Sequence, residues 1–234
     1  MTELRTHADL ETLERLVTER WSCRAFLTDE VPHEHIVTLL SLAQHAPSWC
    51  NTQPWEVYVT EGPATERFRD GLLAHAIAQG PNLQPDVPMP RPVDYTGVHL
   101  QRRREAGWQL YQAVGVTRGD REASARQALK NFELFGAPHA VVITVDASQG
   151  SYGVLDTGVY VANFLLAAAA LGLGAVPQAA LATYSPFVRD FFDVPEDRSV
   201  LLGISFGWPD QNHSANSYRT SRANLEEAVH WVSG

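Results

Sequence analysis

Apolar and polar residues follow one another along this chain with two different periods. Apolar residues spaced three and four apart predict amphipathic helices, and short alternating or β-branched runs predict strands. The pattern predicts helices within residues 1–20 and at 34–45, 65–79, 99–114, 121–135, 185–192 and 224–231. It predicts strands at 55–59, 140–145, 175–176 and 200–206. Because helices separate the strands, we predict a single α+β domain over residues 1–234 with a small mixed or antiparallel sheet flanked by helices.

The longest apolar stretch covers residues 159–176, in which Tyr160 and Asn163 are the polar exceptions. Its length reaches what a membrane-spanning helix requires, but no Lys or Arg flanks either end as such a helix prefers. A helix that is apolar all round is usually buried on every side. We therefore predict a helix in the centre of the domain or between two subunits, and no membrane span.

Residues 81–97 form a proline-rich segment. It contains Pro81, Pro85, Pro88, Pro90 and Pro92. Proline cannot continue a helix or a central strand, so the segment is predicted to be a long loop within the single domain. Loops of this length inside a compact domain are often functional covers.

Charge and composition narrow the functional classes. The chain has 18 Lys and Arg against 27 Asp and Glu, a formal net charge of −9, which disfavours nucleic acid and anionic membranes as partners. Cys23 and Cys50 are too few for a disulfide framework, and the opening residues lack the apolar run of an export signal. We expect a cytoplasmic protein. His33 and His35 have no third ligand nearby, so we expect no metal site.

Two enzyme signatures are present only in part. Residues 203–207 match the G-x-S-x-G nucleophile elbow with Ser205 at its centre, but turn-forming residues follow where a helix is required. A serine hydrolase using Ser205 is therefore a remote alternative. Gly172 and Gly174 lack the third glycine of a dinucleotide-binding fingerprint, which argues against a Rossmann unit that holds NAD tightly.

Two basic segments lie near opposite ends of the chain. Arg20 and Arg24 flank the hydroxyl of Ser22, and Arg219 and Arg222 lie close to the C-terminus. Guanidinium groups are forked, permanently charged donors that suit phosphate. The pattern indicates anion binding, although pairing of each Arg with local acids would explain any one of them.

A proline-bounded loop, residues 47–55, enters the first predicted strand. It presents the amides of Asn51 and Gln53. Amide side chains both donate and accept hydrogen bonds, which is what binding the pyrimidine edge of a flavin requires.

The motifs R-x-S-x-R-x-F at 20–26 and P-S-x-x-N-x-Q-P-W at 47–55, with the terminal basic segment, resemble the FMN-dependent nitroreductase family over nearly the whole chain. The resemblance implies an intertwined homodimer with one FMN at each end of the interface, each site built from both chains. The residues it implies are Arg20, Trp21, Ser22, Arg24, Arg219 and Arg222 at the phosphate and ribityl chain, and Pro47, Ser48, Asn51 and Gln53 at the ring, from the partner.

The chain departs from this family pattern at two places. Many members carry P-x-E-G beside the flavin N5, whereas this chain has Pro177, Gln178, Ala179 and Ala180, so the acid is absent and the run offers the neutral amide of Gln178. Thr220 stands where members often have a lysine, for which Arg219 would compensate. Which of the two terminal arginines holds the phosphate stays open.

The resemblance implies an oxidoreductase that takes electrons from NAD(P)H onto FMN and passes them, two at a time, to nitroaromatic or quinone acceptors by a ping-pong mechanism. This chemistry requires no protein nucleophile. Trp108 and Tyr111 either cap the acceptor pocket or pack in the core. The alternatives are a flavin-dependent reductive dehalogenase or another reductase of the same fold, and a non-catalytic flavin-binding protein.

Overall fold

The computed structural model describes residues 2–87, 92 and 94–234 and contains one four-stranded sheet among them. Its strands are β1 (Trp55–Thr60), β2 (His139–Asp146), β3 (Gly174–Gln178) and β4 (Arg198–Gly207). They lie in the order β1-β2-β4-β3, and every neighbouring pair is antiparallel. The prediction of an α+β fold with a small sheet is confirmed, and the sheet is wholly antiparallel.

Seven α-helices surround this sheet within the described residues. They are α1 (Thr2–Glu19), α2 (His33–Ala43), α3 (Pro63–Gln79), α4 (Gly97–Ala113), α5 (Arg121–Leu129), α6 (Gly150–Ala170) and α7 (Ser185–Phe192). All four predicted strands and the helices over 34–45, 65–79, 99–114 and 185–192 are found within a few residues of their predicted bounds.

The sheet is buried on both faces because helices cover both. Successive side chains of a strand point to opposite faces, and in β2 Val141 and Ile143 pack with α2 and α6 while Ala140 and Val142 pack with α3 and α7. All four are fully buried. The continuous apolar run that predicted β2 is thus a central strand between two cores.

Two predicted helices differ from the structure. The helix predicted over 121–135 ends at Leu129, because Leu134 and Phe135 have φ of 54° and 52°, which a right-handed helix cannot include. The helix predicted over 224–231 is wrong: only the 3₁₀ turn Leu225–Glu227 forms. Leu225 and Trp231 are exposed, so this segment buries no apolar face that would stabilise a helix.

The apolar helix begins earlier than predicted, at Gly150, and one side of it packs inside the domain. Tyr160 and Phe164 are buried, whereas Tyr152 and Leu155 are exposed. By length and composition alone, the segment Ala147–Ala170 is the one candidate membrane span in the described residues. Because this helix packs on α2 and the sheet, it does not indicate a membrane protein.

The first part of the proline-rich loop is tied to the far side of the sheet. Gln84 N–H donates to the Thr183 carbonyl at 2.8 Å, and Asp86 accepts hydrogen bonds from the Arg189 guanidinium and the Val200 N–H at 2.8 and 2.9 Å. Residues 88–91 and 93 lie outside the described residues, so the prediction of a covering loop is not addressed there.

His139 links β2 to the segment before α2. It is fully buried; its Nε2 accepts the Val31 N–H at 2.9 Å, and its Nδ1 lies 3.3 Å from the Thr60 carbonyl, to which it donates. Burial lowers the pKa of His139 below its ordinary value, because a charged imidazole would be desolvated and could not accept the Val31 bond.

We predict that this histidine makes folding sensitive to acid. The folded chain holds His139 neutral while the unfolded chain protonates it near pH 6.5, so its contribution is complete above that pH and is lost as the pH falls below it. Denaturant unfolding between pH 7 and 5 should show the wild type losing up to about 1.4 kcal/mol more per pH unit than His139→Gln. Parallel pH profiles for the two proteins would contradict the prediction.

Candidate functional site

The segment Arg20–Phe26 runs along β3 at one edge of the sheet. Ser22 and Ala175 form a parallel bridge, and Cys23 N–H donates to the Ala175 carbonyl at 3.1 Å. A Cβ on Gly174 would lie 2.7 Å from Cys23 Sγ, so this close approach requires glycine. Burial raises the pKa of the Cys23 thiol to about 11, which keeps it protonated and unreactive at neutral pH.

Asn216 joins the C-terminal segment to this edge. Its side-chain oxygen accepts the Arg24 N–H at 2.8 Å, and its Nδ2 donates to the carbonyls of Ala25 and Asp210 at 2.9 and 2.8 Å. The residue is buried, so these bonds are protected from water. As a result, residues 218–222 lie beside residues 20–24.

The two basic segments line a common cavity of about 80 Å³, bounded by Arg20, Trp21, Ser22, Arg24, Tyr218, Arg219, Thr220 and Arg222. Here Arg24 donates to Tyr218 Oη at 3.0 Å. We call it the cationic cavity. It brings together residues almost two hundred positions apart in the sequence, as the motif analysis expected for one anion site.

Positive charge in the cationic cavity is not neutralised by the chain itself. Within the described residues, none of its four arginines is ion-paired with a carboxylate. Burial, and secondly the nearby Arg222, lower the pKa of the Arg20 guanidinium. The indole Nε1 of Trp21 is buried and lacks a hydrogen-bond partner. Such an arrangement is stabilised by an anion that accepts several hydrogen bonds.

Hydrogen bonds to side chains fix the conformation of the loop over residues 47–54. Ser48 Oγ accepts the Gln53 N–H at 3.0 Å, and the buried Asp156 accepts the Trp49 N–H at 3.0 Å. Asn51 and Gln53 have φ of 57° and 47°, and their side-chain amides bond to each other at 3.1 Å. Left-handed non-glycine residues cost free energy and concentrate at functional sites.

This loop and the cationic cavity lie at opposite corners of the sheet. The loop enters β1 at Trp55, which pairs with Val145 and through it lies level with Ser199 on β4. The cavity flanks β3 where Gly174 pairs with Gly207, at the other end of β4. Eight residues along β4 and three strand spacings across the sheet separate the corners by roughly 30 Å.

Comparison with known proteins gives the family. A model of the nitroreductase family matches residues 17–208. The chain belongs to the nitroreductase family. It is therefore an oxidoreductase, and the recognition made from the motifs is confirmed.

Relatives in this family are similar along nearly their whole length. Nitroreductase NfnB of Mycolicibacterium smegmatis is 36% identical over 94% of this chain and 92% of its own. The 4-nitrobenzoate reductase of Pseudomonas putida is 28% identical over 95% and 96%. The crystal structure of the FMN-dependent nitroreductase NfnB from Mycobacterium smegmatis in complex with NADPH matches with a TM-score of 0.89 at 34% identity, covering 96% of this chain and 99% of that one.

In this family member the end of β3 is hydrogen-bonded to the turn that follows α5 and to β4. Gln178 is buried; its Nε2 donates to the Asn131 carbonyl at 2.8 Å, and its Oε1 accepts from the Ser205 hydroxyl. The Gln178 side chain is thus occupied within the chain and offers a ligand only its backbone. Pro177 and Ala179 flank it and are exposed.

Ser205 is not a hydrolase nucleophile. It is fully buried in the middle of β4, between Ala140 and Val176, and the strand runs on to Gly207 without a helix after it. A buried hydroxyl that already donates to an amide cannot reach a substrate carbonyl.

Trp108 and Tyr111 are partly buried on α4. The Arg118 guanidinium lies over the Trp108 ring at 5.5 Å, and among the described residues neither aromatic lines the cationic cavity. Their role as a cap on an acceptor pocket stays a prediction.

Several residues of the site were not found from the sequence. Asn216 and Tyr218 lie just before the basic pair, but nothing in their spacing marks a buried amide or a hydroxyl in the cavity. The role of Asp156 could have been anticipated, because it is the one acidic residue at the start of an otherwise apolar helix. Trp49 is 60% exposed and its ring is tilted against that of Tyr152, with the centroids 4.8 Å apart; its position inside the proline-bounded motif gives no separate signal for this contact.

Proposed function

We propose that this chain is an FMN-dependent NAD(P)H nitroreductase that reduces nitroaromatic or quinone acceptors. The observation that carries the proposal is the cationic cavity, in which four guanidinium groups meet without a carboxylate. A phosphate monoester is the anion that such a donor set fits. The FMN-dependent NfnB that matches over nearly the whole chain supports FMN as the molecule that carries it.

Within the cationic cavity, Arg222 is the better candidate than Arg219 for the phosphate. Both terminal arginines donate to two backbone carbonyls, but Arg219 also lies 4.1 Å over the Trp21 ring. Burial lowers the pKa of the Arg20 guanidinium, and Arg222 lies close enough to lower it further. We assign Arg20, Arg24 and Arg222 to the phosphate, with Ser22 as an additional donor. Arg219 positions Trp21, whose indole N–H is buried without a hydrogen-bond partner among the described residues.

The flavin ring is proposed to be held by two copies of the chain. Pro177, Gln178 and Ala179 share an edge of the sheet with the phosphate residues and flank the ring. The loop with Pro47, Ser48, Asn51 and Gln53 lies roughly 30 Å away in the same chain, farther than one mononucleotide extends. The loop can contact the same flavin only if it belongs to a second copy of the chain.

Exposed apolar residues support such a homodimer. Leu10, Leu13 and Val17 of α1 are all more than half exposed, as are Tyr152 and Leu155 of α6. Apolar patches of this kind mark interfaces between subunits. The apolar helix, predicted to be buried on all sides, then gains its missing cover from the partner.

Bound FMN would accept a hydride from NAD(P)H and deliver electrons to the acceptor in two-electron steps. The chain's own residues bind and orient it. Ala179 stands in the position of the acid that many members carry, two residues after Pro177, and the Gln178 amide beside it is neutral and hydrogen-bonded inside the chain. We therefore expect the protein to make the surroundings of the ring less negative than an acid would.

We also propose the cytoplasm as the compartment. Cys23 and Cys50 are free thiols in the structure, and thiols persist in reducing compartments. The nicotinamide donors that the proposed reaction consumes are cytoplasmic as well.

Steady-state kinetics with NADPH and NADH against 4-nitrobenzoate, menadione and a halophenol test the reaction. We expect yellow protein, turnover of the first two acceptors and parallel double-reciprocal lines. Activity on the halophenol alone would establish the dehalogenase alternative instead. Protein that binds FMN but is reduced by neither nicotinamide would be a non-catalytic flavin protein.

Loss of phosphate ligands should reduce retention of FMN. We predict that Arg20→Ala and Arg222→Ala each weaken FMN binding by about 1.5–3 kcal/mol, the value of a charge-assisted hydrogen bond, while Arg219→Ala costs less. Flavin content and Kd, measured by fluorescence on the apoprotein, check this. Arg126→Ala, which removes an exposed arginine paired with Glu122, is the control. Equal retention in all four variants would place the phosphate elsewhere.

A mixed dimer tests whether each site uses two chains. Arg222→Ala and Asn51→Ala chains, carrying different affinity tags, are co-expressed and the heterodimer isolated. If phosphate and ring ligands of one site come from different chains, the heterodimer has one intact site and one with both lesions, and its activity is about half that of wild type. If they come from one chain, both sites are damaged and no activity is regained.

A further inference from the structure

A second, larger cleft adjoins the cationic cavity. It lies between α4 and residues 220–227, has a volume of about 670 Å³, and shares Thr220 and Arg222 with the cationic cavity. This volume is in the range of sites for small organic ligands. We call it the α4 cleft.

The lining of the α4 cleft is polar and carries both signs of charge. Arg102, Glu105 and Gln109 come from one side of α4, and Arg222 and Glu227 face them from the C-terminal segment. The Gln109 Oε1 atom is buried and has no hydrogen-bond partner. Fully buried centres of subunit interfaces are depleted in charge, so this lining suits a polar ligand better than a second protein surface.

One ion pair spans the α4 cleft. Arg102 Nη2 donates to Glu227 Oε2 at 2.9 Å, and both side chains are about half exposed. The second oxygen of Glu227 accepts the Asn224 N–H at 3.3 Å within a capping box. Exposed pairs contribute little to stability. Arg102 can therefore exchange Glu227 at little cost for a phosphate dianion, which carries more charge than a carboxylate and accepts the same forked hydrogen bonds.

We infer that the α4 cleft binds the adenosine half of the nicotinamide donor and that the Arg102–Glu227 pair sets a preference for NADPH over NADH. The inference rests on the proposed function, because it presumes a nicotinamide donor. Arg102 would bind the ribose 2′-phosphate that only NADPH carries. Glu227 would repel that phosphate and accept a hydrogen bond from the free 2′-hydroxyl of NADH. Arg102 would thus favour NADPH and Glu227 would favour NADH.

Reciprocal variants give this inference a sharp test. Arg102→Gln should raise KM for NADPH about tenfold or more and should not raise KM for NADH, because Glu227 keeps its carboxylate for the 2′-hydroxyl. Glu227→Gln should lower KM for NADPH and raise KM for NADH. Arg103→Gln is the matched control, because Arg103 is the next residue on α4 but lies over the Tyr95 ring at 5.1 Å.

Binding without turnover provides a second readout. Tetrahydro-NADPH and tetrahydro-NADH, whose saturated rings give no hydride, are titrated calorimetrically into the FMN-loaded protein. We expect Arg102→Gln to weaken the phosphorylated analogue alone, and the wild-type preference for it to decrease with salt. A wild type without preference, or an Arg102→Gln variant that weakens both analogues equally or neither, would overturn the inference.

Failure of this inference and failure of the proposed function give different results. If the proposed function is wrong, the wild type is colourless or oxidises neither nicotinamide. If only the assignment of the α4 cleft is wrong, the wild type is yellow and active, and the NADPH-to-NADH ratio of kcat/KM is the same in Arg102→Gln and Arg103→Gln.

Discussion

The central constraint on this molecule is the convergence of four guanidinium groups, none of which is ion-paired with a carboxylate among the described residues. Like charges brought together and partly removed from water destabilise a protein unless an anion accompanies them. Here a buried amide, Asn216, holds the two segments together through three hydrogen bonds. These hydrogen bonds hold the positive charges close together, and a bound anion would stabilise that arrangement.

The antiparallel sheet explains why one chain does not complete the site. Its diagonal separates the loop over residues 47–54 from the cationic cavity, and no side chain spans that distance. The exposed apolar residues on α1 and α6 lie where a second copy would supply the missing cover. In the proposed dimer, the pairing of subunits, the completion of the ring contacts and the burial of the apolar helix would all follow from this separation.

Much of this arrangement was predictable from the sequence, because local patterns carry much of the information. The β2 strand followed from an unbroken apolar run, and the phosphate residues followed from the spacing of Arg20, Ser22 and Arg24. Segments whose conformation depends on distant packing were not predictable. The positive φ of Leu134 and Phe135, which ends α5 early, and the buried role of Asn216 both depend on partners far along the chain. The predicted helix over 224–231 was wrong for the same reason, since spacing alone cannot reveal that Leu225 and Trp231 are exposed and do not pack in the core.

The residues that match the family model end at position 208, whereas Tyr218, Arg219 and Arg222 come after it. All four strands and seven helices precede that position. A chain trimmed to residues 17–208 would keep all four strands and helices α2 to α7, but it would lose two of the four arginines of the cationic cavity. The stretch that marks descent and the residues that line this cavity thus overlap only in part, and a tail without a strand or an α-helix supplies one wall of the cavity.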